Sequence, residues 1–171
     1  MIDEDNNNYK YCYDINTKII RVSINNPLDV WSWKERVKVP YWFKLKVYLE
    51  TNPKTGYQYY RININKKHYV LSRVIYKCFY NKWDIDDNSK NNFIDHININ
   101  PLDNRIENLR ILTNQQNRFN TNARGTHFRK HNNNWSANIS INGKKMSKSG
   151  FKTEEAAHQH YLILKQQYHI I

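Results

Sequence analysis

Phe93-Ile94-Asp95-His96-Ile97, a polar loop over residues 98–105, Glu107-Asn108-Leu109-Arg110-Ile111-Leu112-Thr113 and Asn114-Gln115-Gln116-Asn117 make up the stretch whose reading decides the fold. Residues 93–97 predict a short strand with Asp95 and His96 adjacent in sequence but on opposite faces. Residues 109–112 can pair with it across the intervening loop. Thr113 and Gln116 have the T-x-x-Q spacing of a capping box, so a helix is expected to start there. Asn117 then falls in the first helical turn, where it can point back at the hairpin. The expected product is a β–β–α unit whose strand and helix converge on one small volume.

These residue types suit phosphodiester hydrolysis. The reaction needs an activated water, a cation to offset charge on the phosphate, and stabilisation of the leaving oxygen. A histidine supplies a base near neutral pH. A carboxylate and an amide oxygen are hard ligands that suit Mg²⁺, which keeps several waters and binds substrate phosphate directly. Asp95, His96 and Asn117 make a sufficient set, and Asn108 could fix the His96 ring by a hydrogen bond. In so Asn-rich a chain a single asparagine reads most simply as a turn residue. Four positions that agree in type and spacing do not.

The stretch resembles the HNH branch of the ββα-metal (His-Me finger) nucleases, in particular the homing-endonuclease group of phages and large viruses. That pattern is an Asp-His pair, an Asn-Leu-Arg twelve residues beyond the His, and a second Asn nine residues later. Asp95-His96, Asn108-Leu109-Arg110 and Asn117 match both spacings. Asn100-Pro101-Leu102-Asp103-Asn104-Arg105-Ile106-Glu107 resembles the family's loop, and residues 56–79 its preceding strand–turn–strand–helix; the likeness covers roughly residues 44–120. One departure is Ser72-Arg73, where the family often has a His, and His68 is given no catalytic role. The resemblance implies that Asp95 and Asn117 hold one divalent metal, Mg²⁺ with Mn²⁺ able to substitute. It also implies that His96 is the general base, that Asn108 orients it, and that the substrate is double-stranded DNA, cut to 5′-phosphate and 3′-hydroxyl ends. Arg105, Arg110 and Arg118 are candidates to hold phosphate oxygens.

Working outward, Tyr60, Ile62 and Ile64 alternate with Arg61 and Asn63, the period of a half-buried strand. Asn65-Lys66-Lys67 reads as a turn and residues 68–70 as the return strand. Leu71, Val74, Ile75, Cys78 and Phe79 then share one helical face, ending near Tyr80, and the polar residues 81–91 read as a surface loop. Residues 9–50 hold short aromatic and β-branched runs, such as 18–22 and 37–49, expected as strands. Trp31, Trp33, Tyr41, Trp42 and Phe43 are expected in the core or at sheet edges.

Downstream, Trp135, Ala137, Ile139 and Ile141 alternate with polar residues and lead into Asn142-Gly143, the strongest short hairpin signal. Residues 144–149 would return, Gly150-Phe151 would break the strand, and Thr153 would cap a helix with Glu154 and Glu155 in its first turn. Ala156, Ala157, His160, Tyr161 and Leu164 mark its expected buried face, running to about Tyr168. Residues 125–161 resemble the AP2-type DNA-binding domain, a three-stranded antiparallel sheet with a packing helix. That family lays its sheet in the major groove. The implied contacts are Arg124, Arg129, Lys130, Trp135, Lys144, Lys145 and Lys148. His127, His131, His158 and His160 are expected at the surface or in packing.

The bulk composition agrees. The chain has 171 residues, with 27 basic against 15 acidic, a net charge of +12. Residues 1–50 carry net +1, 51–120 net +5 and 121–171 net +6, so a polyanionic partner would meet the later two-thirds. Cys12 and Cys78 lie far apart and outside any C-x-x-C pair, so neither a disulfide framework nor a zinc ribbon is supported, which suits a reducing interior. No apolar run approaches a membrane span, so a soluble intracellular protein is expected. The expected fold class is α+β: a ββα-metal HNH core preceded by a small antiparallel sheet and helix, then an AP2-like sheet packed on a helix. Residues 1–8 are expected as a disordered tail, 9–120 as the nuclease domain with a β-rich extension, and 121–171 as the AP2-like domain. With no heptad or long apolar helix a monomer is expected, nicking one strand; a double-strand break would need a dimer or two cuts. The rival reading is a DNA-binding regulator on an inactive nuclease scaffold, but decay would have erased at least one of the four motif positions. An RNA substrate is a weaker third reading.

Overall fold

The computed structural model describes residues 5–89, 91–141 and 143–169. Asn142, expected in the last hairpin turn, and residues 1–4 of the expected tail lie outside the described residues. Residues 5–8 form a turn, with Tyr9 N donating to Asp5 O at 2.9 Å and Asp5 N donating to the Tyr11 hydroxyl at 2.7 Å. The chain divides into two compact units, residues 1–89 with 94–111 and residues 90–93 with 112–171. The division therefore falls ahead of the expected 120/121 boundary, and Asn117 groups with the C-terminal unit.

In the first unit, β1 (Tyr9–Ile15), β2 (Lys18–Ser23), β3 (Val30–Lys34) and β4 (Tyr41–Lys44) form an antiparallel sheet in chain order. Asn16 and Thr17 both take left-handed φ (50° and 63°), the two-residue loop whose twist suits a hairpin. One face buries Cys12, Ile20, Val22 and Val30 in the core. The other carries a row that sequence reading took for core or edge. Arg21 pairs across the strands with Trp31, Trp31 with Lys44, and Trp33 with Trp42, while the Arg21 guanidinium lies 4.4 Å from the Trp42 ring. Half-buried against one another, these tryptophans form a cation–aromatic layer outside the aliphatic core. Tyr41 and Phe43 stay about half exposed.

The run 37–49 is not one strand. β4 ends at Lys44, and a second sheet begins with β5 (Val47–Thr51), followed by β6 (Gln58–Ile64) and β7 (Lys67–Val70). The β6–β7 loop is Asn65-Lys66, both left-handed, and Lys67 already belongs to the return strand. The two hairpin turns clip together: Asn16 Nδ2 donates to Ile64 O at 2.9 Å, and Asn65 Nδ2 to Asn16 O at 3.3 Å. α1 (Leu71–Phe79) follows because Leu71, Val74, Ile75 and Cys78 recur at helical spacing and are all buried. Each such side chain contributes roughly 1.5–3 kcal/mol on full burial. Residues 81–91 are more than a surface loop, since Ile85 enters the core and Arg73 donates to its carbonyl (Nε, 3.1 Å). β8 (Phe93–His96) and β9 (Leu109–Leu112) form the remaining hairpin, with Leu109 in the same core.

In the second unit, β10 (Thr126–Arg129), β11 (Asn134–Ile141) and β12 (Lys144–Phe151) form an antiparallel sheet, and α3 (Glu154–Tyr168) packs on β11. Ala137, Ile139, Ala157 and Tyr161 close the small core, while Ala156, expected on the buried face, is exposed. Gly150 does not end the strand. It sits at φ +97° where the register shifts between Trp135 and Ser136, a bulge within β12. Gly125 lies at φ +64° against the Tyr161 ring, so close that an added Cβ would fall 2.1 Å from Cδ2. Thr153 caps α3, its hydroxyl accepting from Ala156 N at 3.2 Å.

Candidate functional site

Strand alternation on β8 sends Asp95 and His96 to opposite sides. Asp95 is 6% exposed, and its Oδ2 accepts from Arg110 Nε on β9 at 2.8 Å. The candidate phosphate ligand Arg110 is thus committed to the candidate metal ligand. A buried carboxylate that holds a guanidinium this closely marks a position that favours positive charge. The charge of Asp95 also reaches Tyr57: burial, with Asp95 second, pushes the Tyr57 phenol up from its ordinary value.

His96 lies on the other side, half-buried, with Nε2 3.2 Å from Asn104 Oδ1. Burial is the largest influence on it and pushes the imidazole below its ordinary value, against the raising effects of Asn104, Asp95 and Asp103. Burial thus favours the neutral ring, the form that can accept a proton.

The hydrogen bond to His96 comes from an asparagine that the sequence did not single out. Asn108, expected to orient the ring, makes its side-chain bonds elsewhere: Oδ1 accepts from Asn98 N at 2.9 Å, and Nδ2 donates to Asn98 Oδ1 at 2.9 Å and Asp103 O at 2.7 Å. It pins the loop instead. That loop needs pinning, because Ile99 takes φ +62°, a left-handed conformation that costs a β-branched residue about 1–3 kcal/mol. Ile99 N donates to His96 O at 2.9 Å, so the strained turn starts from the histidine itself. Asp103 locks the other end: its carboxylate takes Arg105 Nε at 2.8 Å and Nη2 at 2.7 Å and is held down to about 2, chiefly by that guanidinium. Arg105, the second candidate phosphate ligand, is thereby also ion-paired.

Asn117 ends α2 (Asn114–Asn117), a single turn set by the expected capping box. Thr113 Oγ1 accepts from Gln116 N at 3.2 Å, and Gln116 Oε1 accepts from Thr113 N at 3.0 Å. Asn117 belongs to the second unit and the Asp95–His96 pair to the first. Arg118 follows Asn117 in sequence, is exposed, and makes no ion pair among the described residues.

The cations of the C-terminal sheet divide by alternation. Ala137 pairs with Lys148 and Ile141 with Lys144, so Lys144 and Lys148 share the face on which α3 packs, as does Trp135, two residues before Ala137 on β11 and tilted on Phe128 at 5.2 Å. The open face carries Arg129, Lys145, His127, Ser136, Asn138 and Ser147, and with Lys130 they line a depression of about 470 Å³. Arg124 is ion-paired: its Nε lies 2.8 Å from Glu154 Oε1 and its Nη2 3.4 Å from Glu155 Oε2. The sequence did not separate these sets, although the β11–β12 register decides the face of each lysine. His127 and His131, expected at the surface or in packing, are exposed and line the same depression.

Among the described residues no helix is long and apolar enough to cross a membrane. Residues 69–119 match the model of the HNH endonuclease family, from the end of β7 to just beyond α2, less than a third of the chain. That match supports a nuclease acting on DNA, of a kind that generally uses a divalent metal. Neither the curated proteins nor the solved structures give a match.

Proposed function

We propose that the chain is a homing-type HNH endonuclease that hydrolyses phosphodiesters of double-stranded DNA, with His96 as general base and Asp95 and Asn117 as ligands of one divalent cation. The observation that carries the reading is His96 itself: a half-buried imidazole with Nε2 3.2 Å from Asn104 Oδ1, next to Asp95, inside the stretch that matches the family. Neutral His96 takes a proton from water, and the hydroxide attacks phosphorus. The bond to the 3′ oxygen breaks, that oxygen takes a proton from solvent, and His96⁺ returns its own proton to solvent.

A divalent ion fits the donors. The Asp95 carboxylate is buried and already attracts a cation, the Arg110 guanidinium. A carboxylate and an amide are hard oxygen donors, which points to Mg²⁺, with Mn²⁺ able to replace it. When bound, such an ion offsets charge on the phosphate and on the leaving oxygen. The protein residues do the rest: Asn108 and Asp103 hold the loop, and Arg118 with the AP2-like open face of Arg129, Lys130 and Lys145 grips duplex phosphates. One catalytic set per chain makes a monomer a nicking enzyme.

Supercoiled plasmid with Mg²⁺, with and without chelator, tests the reading. Open circles should form with Mg²⁺ and not with chelator, and His96→Ala should bind DNA as before without cutting. Wild-type turnover by His96→Ala overturns the base assignment. Tight binding with no cleavage under any divalent ion would instead favour the DNA-binding regulator.

A further inference from the structure

Asn104 is 2% exposed, the most deeply buried polar side chain of the chain's described residues, and its amide lies between the imidazole and two backbone carbonyls. Nδ2 lies 3.4 Å from both Pro101 O and Leu102 O, and Oδ1 lies 3.2 Å from His96 Nε2. Turning the amide over would aim its oxygen at two carbonyl oxygens and leave all three without donors. An amide oxygen turned toward two carbonyl oxygens finds no donor there, so the orientation with Nδ2 toward the carbonyls is preferred. The imidazole then faces an acceptor. Only a ring that carries its proton on Nε2 can make that bond.

We infer that Asn104 is a positioning residue which holds His96 in the Nε2-protonated tautomer, so that Nδ1 bears the lone pair used as the base. The inference rests on the nuclease reading for its purpose, but the tautomer itself does not depend on activity. The sequence places the pieces for this. The Pro101-Leu102 carbonyls and Asn104 fall within one turn of loop, whose closure Asn108 and the Asp103–Arg105 pair enforce from outside. The strained Ile99 conformation then has a use: it folds the loop tightly enough that Asn104 returns to the histidine from which the loop departed. When the ring accepts a proton on Nδ1, the Nε2–H···Oδ1 bond persists and becomes charge-assisted, which stabilises the protonated base as it forms.

Long-range ¹⁵N–¹H correlation spectra of the imidazole in the intact chain, recorded where His96 is neutral, read the tautomer directly. The wild type should show a single Nε2–H species. Asn104→Leu, which removes the acceptor, should give a tautomer mixture and lower kcat by roughly 10- to 100-fold, with DNA affinity unchanged, the usual cost of losing a partner that orients a functional histidine. A wild-type spectrum dominated by Nδ1–H overturns the inference whether or not the variants fold. So does Asn104→Leu with an unchanged tautomer. If His96→Ala still cuts DNA while the wild-type ring is Nε2-protonated, the catalytic reading fails and the positioning of His96 stands.

Discussion

Consider two triple variants of the full chain that remove the same formal charge. Arg129→Gln/Lys130→Gln/Lys145→Gln strips the open face of the C-terminal sheet. Arg124→Gln/Lys144→Gln/Lys148→Gln removes three cations that are ion-paired to the first turn of α3 or lie on the face that α3 covers. If each open-face cation neutralises one phosphate, the slope of log affinity against log salt falls by about 0.9 per residue, or roughly 2.7 for the first triple. At about 0.15 M salt the same relation makes that loss roughly 100-fold in affinity. The second triple should change the slope by less than about 1, because its cations do not share the open face. Fluorescence anisotropy with a labelled duplex at four or five salt concentrations measures both slopes. Equal losses from the two triples would refute the reasoning: binding would then follow net charge, and the division of faces would have no bearing on DNA.

Three further outcomes follow from the geometry. Gly125→Ala forces a side chain into a left-handed backbone and into the Tyr161 ring, and should cost about 2–4 kcal/mol in urea unfolding of the C-terminal unit. Arg110→Met leaves the buried Asp95 carboxylate without its cation and should cost about 3 kcal/mol, with millimolar Mg²⁺ recovering part of the lost thermal midpoint; a midpoint indifferent to Mg²⁺ would remove Asp95 from the ligand set. The Asp103 carboxyl is held at about 2 in the folded chain, below its unfolded value of 3.8. Its stabilisation is therefore present above about pH 4 and lost as pH falls from there through 2. Because its partner Arg105 is largely exposed, the effect is discounted to roughly 1 kcal/mol: Asp103→Asn should lose that at pH 7 and nothing near pH 2.

Some of the fold was legible because one periodicity governed it. Leu71, Val74, Ile75 and Cys78 form a helix face on any reading, and Thr113–Gln116 formed the capping box that their spacing announced. The N-terminal tryptophans were not legible for a physical reason. Large aromatics suit a core and a cation-covered outer face equally well, and only the cross-strand register puts Arg21 beside Trp31 and Trp42. Gly150 misled similarly, since a glycine that ends a strand and one that bulges it look alike in sequence.

The candidate site divides along the same line. Type and spacing singled out Asp95, His96, Asn108 and Asn117, because a carboxylate, an imidazole and amides so spaced suit hydrolytic chemistry. They did not say which amide meets the imidazole. Asn98, Asn100, Asn104 and Asn108 lie within a dozen residues of His96, and each has the same donors and acceptors. The choice is made by a backbone torsion at Ile99, which sequence preference would place elsewhere. Once that residue turns left-handed, Asn98 and Asn108 are consumed by each other and by Asp103, Asn100 Oδ1 accepts from Leu102 N, and Asn104 is delivered to Nε2. The strained residue and the buried amide are therefore one device. Glycine takes the left-handed φ without strain, so Ile99→Gly should keep the turn, and the imidazole spectra should still show one tautomer; a tautomer mixture would separate the torsion from the hold of Asn104 on His96.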